Sequence, residues 1–118
     1  MAGFNYFTRK QANIIYAAIK RGEIKMLKRD VNKMYNLVGV RGFNLSVEDC
    51  EFLGKLNNVI TAIFDSRLDV ANGLLNGETW RKEYVKTDKV IDEYFDDLFL
   101  NDIVTIYETV ETWVKVEE

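Results

Sequence analysis

One stretch constrains this chain more than any other: Ser46 to Phe64, SVEDCEFLGKLNNVITAIF. Ser46 and Asp49 stand at the S-x-x-D spacing of a capping box, in which the serine hydroxyl accepts a first-turn backbone N–H. Leu53, Leu56, Ile60 and Ile63 then recur at three- and four-residue steps, which gives a helix one apolar face. Phe52, Val59 and Phe64 widen that face beyond the needs of a surface helix. The spacing predicts a central helix over 46–64 on which the rest packs.

Similar start signals recur along the chain. Thr8 with Gln11 opens a helix to about Arg21, with Ala12, Ile15, Ala18 and Ile19 inward. Gly22 ends it. From Ile24 to Val38 the pattern is two-sided, with Leu27, Val31, Met34, Tyr35 and Val38 on one side. Lys25, Lys28, Arg29, Asn32 and Asn36 take the other side, with Lys33 at the flank. Gly39 and Gly42 then turn the chain toward the central helix. Ser66 and Asp69 predict a further short helix to Asn76, stopped by Gly77.

The last third is less uniform. Residues 79–86 fit either a helix face (Trp80, Tyr84, Val85) or an extended run. Thr87 to Phe99 reads as a helix with Val90, Ile91, Tyr94, Phe95 and Leu98 inside. In Asn101 to Val116 two patterns coexist. Ile103, Ile106, Tyr107, Val110, Trp113 and Val114 make a helical stripe, while Val104, Ile106, Val110, Val114 and Val116 alternate as in a strand. A cap at Asn101 and a length beyond the usual strand favour helix.

The resulting expectation is an all-α fold: one helical domain over 1–118, a compact bundle of five to seven helices around 46–64. The runner-up is α+β, with a C-terminal strand over 104–116 paired to 80–86. At 118 residues, 47% apolar and 13% aromatic, the chain has ample material for one core. The absence of proline suits helices broken by glycine and capping residues.

Composition also excludes chemistry. The chain has no histidine, which removes His-based acid–base catalysis, Ser-His triads and His-ligated metals. Its single cysteine, Cys50, forms no internal disulfide and reads as a buried structural thiol. No leader-like apolar segment opens the sequence and no apolar run has bilayer-spanning length, so a cytoplasmic protein with no membrane contact is expected.

Charge is unevenly distributed. Residues 1–43 carry nine basic and two acidic side chains, net +7. Residues 44–118 carry seven basic and seventeen acidic ones, net −10. Such asymmetry points to a polyanion, to a basic partner, or to head-to-tail association of identical chains. Lys25, Lys28, Arg29 and Lys33 form the candidate basic site. With Gly22 at a turn and Ala18 four residues before it, the first two helices also suggest a DNA-binding helix-turn-helix. Glu23 and Lys28 stand where that motif needs apolar residues. Asp92, Glu93, Asp96 and Asp97 form the candidate acidic site, on the outer side of the 87–99 helix. No phosphate-cradling glycine loop, E-x-x-H pair or calcium loop accompanies them, so neither metal nor cofactor is expected.

These observations predict a small non-enzymatic protein-binding module that inhibits or adapts a larger protein or protein–nucleic-acid complex. The alternative is a nucleic-acid-binding regulator using helix 24–38. Ten asparagines beside ten lysines suit an AT-rich genome, and with the small size suggest a phage or mobile-element accessory protein.

Overall fold

The computed structural model describes residues 6–96 and 102–117. Its elements are α1 (Arg9–Lys20), α2 (Lys28–Asn36), α3 (Val47–Phe64), α4 (Leu68–Leu75), β1 (Trp80–Asp96) and β2 (Asp102–Lys115), with one 3-10 turn at Gly42–Asn44. The chain divides into two compact units, Met1–Thr79 and Trp80–Glu118. The single helical domain expected over 1–118 is helical only in the first.

At the starts of α1 and α3 the capping chemistry works as the sequence implies. The Gln11 N–H donates to Thr8 Oγ1 at 3.1 Å while the Thr8 N–H donates to Gln11 Oε1 at 2.8 Å. Two of the orphan donors at the start of α1 are thereby satisfied. Ser46 caps α3 through the Asp49 N–H at 3.1 Å. α3 packs on both α1 and α4. Its Leu56 and Val59 are fully buried, with Leu53 and Ile60 nearly so, but Phe64 is 69% exposed. Ala12, Ile15 and Ala18 of α1, Met34 of α2, and Val70 and Ala71 of α4 complete the core at full burial.

Polar contacts tie the helices together around that core. Tyr35 on α2 meets Tyr16 on α1 edge-on at 6.1 Å and donates its hydroxyl to Asn13 Oδ1. Asn72 on α4 holds the segment before α2. Its amide donates to the Glu23 and Leu68 carbonyls, both at 3.0 Å, and its Oδ1 accepts the Lys25 N–H at 3.0 Å.

Three local expectations fail. α2 begins at Lys28 rather than near Ile24, and Leu27 is an N-cap without side-chain hydrogen bonding, 59% exposed. Ser66 does not cap α4: it takes a left-handed φ of 59°, and Arg67 occupies the cap position. Cys50 is half-buried rather than buried.

The larger correction concerns the second unit. Residues 80–96 and 102–115 are strands, so the all-α helical bundle is overturned and the fold is α+β, the runner-up class. Neither the helix expected over 87–99 nor the helix expected over 101–116 forms across the described residues there. β1 and β2 pair antiparallel as a two-stranded sheet, from Trp80 opposite Lys115 to Asp96 opposite Asp102. Eight of the fourteen β2 residues are β-branched, a composition that favours a pleated surface over a helix. Ile106, Val110 and Val114, spaced by four, satisfy helix and strand periods equally, so spacing alone could not decide.

In β1 the alternation was hidden by structure. Register shifts lie between Lys86 and Val90 and between Val90 and Asp92. Extra residues on one strand break the period of two. Val90, Ile91, Tyr94 and Phe95 therefore fall at helix-like steps although they lie in a strand. Leu98, Phe99 and the expected cap at Asn101 lie outside the described residues.

Candidate interaction surface

The two-stranded ribbon carries the largest concentration of exposed apolar side chains. Tyr84, Val85, Val90, Ile91, Tyr94, Phe95, Ile103, Ile106 and Val110 are each more than a third exposed. Side chains alternate between faces along a strand, and directly paired residues share a face. β2 runs without irregularity, so Val104, Ile106, Val110 and Val114 line one face. Val85, opposite Val110, and Tyr94, opposite Val104, extend that face onto β1. Glu108 interrupts it and is paired with Lys89 at 3.6 Å.

The other face also carries exposed apolar side chains, Tyr84, Val90, Phe95 and Ile103, together with paired charges. Lys82 Nζ lies 3.4 Å from Glu111 Oε1 and 5.8 Å from the Trp113 ring. Lys86 Nζ lies 4.7 Å from the Tyr107 ring. Trp113 is the buried side chain among the described ribbon residues.

The basic residues selected from sequence are not one helical face. Lys25 precedes α2, and its backbone is held by Asn72. Lys33 is engaged with Asp49 at 3.4 Å and lies 4.7 Å from the Phe52 ring. Only Lys28 and Arg29 stand exposed together on the first turn of α2, with Arg29 3.8 Å from Asp30. Seven residues, 21–27, separate α1 from α2, against the three or four of a DNA-binding helix-turn-helix.

The acidic residues are likewise dispersed. Asp92 and Glu93 are adjacent in a strand, where neighbours point to opposite faces; they sit opposite Ile106 and Thr105. Asp96 is at the end of β1 opposite Asp102, and Asp97 lies outside the described residues. The row expected on a helix therefore does not form. Among the described residues, no three His, Cys, Asp or Glu side chains gather as a metal site. No described helix is long and apolar enough to cross a membrane.

Two ion pairs have a defined electrostatic effect. Arg67 meets Asp69 through two hydrogen bonds of 3.0 Å, and these hold the Asp69 carboxyl below its usual range. Arg21 grips Glu23 at 2.6 and 3.1 Å and lowers its carboxyl in the same way. Both pairs link residues two apart beside a helix end, which suits a local clamp rather than acid–base work. A surface cleft of about 250 Å³ lies between the start of α2 and the end of α4, lined by Lys25, Met26, Leu27, Asp30, Leu75 and Asn76. Its charged lining residues are Lys25 and Asp30.

The residues that sequence reasoning missed are those of the apolar ribbon face. The alternation of Val104, Ile106, Val110 and Val114 was the signal for them. Comparison with protein-family models, curated proteins and solved structures gives no match.

Proposed function

We propose that the chain is a non-enzymatic protein-binding module. The helical unit is its scaffold, and the face carrying Val85, Tyr94, Ile106 and Val110 is its docking surface. One observation carries the reading: these apolar side chains are between 38% and 50% exposed on a single face of a two-stranded ribbon. Exposed apolar side chains gathered on one surface mark sites where another macromolecule is bound. A two-stranded sheet is also marginally stable by itself, so added contacts stabilise it. An accessory role, inhibiting or adapting a larger protein, suits a small chain whose chemistry is confined to a surface.

The test compares wild type with V85T/I106T/V110T, which keeps β-branched shapes and removes apolar surface. Both proteins serve as bait in a lysate of the source cell. The reading expects a protein retained by wild type to be lost by the variant, with unchanged circular dichroism. Equal retention by the two would overturn it.

A further inference from the structure

The ribbon has edges as well as faces, and their charges differ. β1 and β2 form a sheet of two strands, so among the described residues neither has a second strand on its outer side. Along β1, residues 84–95 are exposed apart from the half-exposed Thr87. The register shifts between Lys86 and Asp92 divide this strand into two regular segments of opposite charge. Residues 80–86 carry Arg81, Lys82 and Lys86 against Glu83, net +2. Residues 92–96 carry Asp92, Glu93 and Asp96, net −3.

A strand that is basic at one end and acidic at the other is complementary to itself when reversed. An antiparallel pair of such strands sets each basic segment beside an acidic one, and it closes on a two-fold axis. Side chains at paired positions then lie about 5 Å apart, near enough for charge to decide partner and orientation. β2 lacks this property. It carries Asp102, Glu108 and Glu111 against Lys115 alone, so a second β2 or the acidic end of a second β1 meets like charge.

We propose that two copies of this chain join through β1, antiparallel, into a four-stranded sheet of order β2–β1–β1–β2. The inference rests on the reading of the ribbon as the binding element and names its first partner, a second copy. Four strands supply what two lack in independent stability. The acidic outer strands then oppose further growth, as charged edges do in natural sheets. The apolar faces of both ribbons become one larger surface, left free for a client protein.

Sedimentation equilibrium of the full chain tests the pairing. Wild type is expected at twice the 13.8 kDa of the chain. R81E/K86E makes both ends of β1 acidic, and D92K/E93K makes both ends basic. Each variant alone is expected to dissociate at least about tenfold more readily, because like charges meet at both ends. An equimolar mixture of the two is expected to recover the dimer, since every segment again faces its opposite.

A charge-reversed ribbon can lose its own sheet, so wild-type association is also followed against salt, and weakening is expected. A wild type that sediments as a single chain overturns self-pairing. So does a dimer indifferent to salt, or variants that associate as wild type does. The docking face is separately tested by V85T/I106T/V110T, which leaves the β1 charges unchanged. Loss of the dimer and loss of a client protein are therefore distinct results.

Discussion

Val85 and Val110 stand directly opposite each other across the two strands, yet are 39% and 38% exposed. A cross-strand apolar pair of this kind contributes about 0.2–1 kcal/mol to a sheet. Nearly two-fifths of the pair's surface is still open in the single chain. That open area, repeated at Ile106 and Tyr94, separates the ribbon from the helical unit, whose central side chains reach full burial.

The core of the helical unit makes the firmest stability prediction. Leu56 is fully buried, and L56A is expected to cost about 2–5 kcal/mol through lost contacts and a residual cavity. Phe64 ends the same helix but is 69% exposed, so F64A should change stability by only about 0.5 kcal/mol. Urea midpoints of the two variants check both values. Similar losses would contradict the packing of α3.

Asn72 bridges α4 to residues 23–25 with two hydrogen bonds. N72A leaves the Lys25 N–H and the Glu23 carbonyl without that partner, at a cost of about 1–3 kcal/mol. Amide exchange at Lys25 should accelerate more than exchange at Leu56. Equal acceleration at both would mean that Asn72 does not hold this segment locally.

The beginning and the end of α4 offer a contrast in sign. Ser66 has φ 59° and Gly77 has φ 94°, both in the left-handed region. For a residue with a Cβ that region costs about 1–2 kcal/mol. S66G removes this strain but adds unfolded-state entropy, so a net gain of about 0.5 kcal/mol is expected. G77A introduces the strain, although its Cβ would meet open space, and should destabilise by about 1 kcal/mol. Thermal unfolding midpoints moving in the same direction would contradict this account.

The Arg67–Asp69 pair predicts a pH dependence. Hydrogen bonds from Arg67 hold the Asp69 carboxyl below its ordinary 3.8 in the native state. A depressed carboxylate stabilises the fold above the unfolded value and loses that contribution as pH falls through the folded one. The Asp69 side chain is 61% exposed, so solvent screening limits the effect to at most about 1 kcal/mol. D69N should be slightly less stable than wild type at neutral pH, and the gap should close below pH 3.8. A gap that stays constant on acidification would exclude the ion pair as its cause.

The helical unit was legible because its signals are local. Thr8 with Gln11, and Ser46 with Asp49, are hydrogen-bonding devices complete within four residues, and the structure uses both. Ser66 with Asp69 has the same spacing yet is not used: Ser66 takes a left-handed φ of 59° and Arg67 stands at the cap position. Spacing specifies a possible bond but not the backbone conformation around it. The start of α2 was misplaced because Ile24, which fits a helical stripe, is buried in an irregular segment held by Asn72. The ribbon was misread for a non-local reason. Each strand depends on a partner many residues away, and the shifts around Val90 erased the alternation that would have declared β1. Once β1 is a strand, Asp92 and Glu93 separate to opposite faces and the acidic site dissolves.

Residue-resolved amide exchange of the full chain, measured across protein concentrations, tests most directly whether the ribbon is the interacting element. Protection over 80–96 is expected to rise with concentration, while exchange in α3 changes far less. Protection of β1 that is independent of concentration, or a rise confined to the helical unit, would contradict the account.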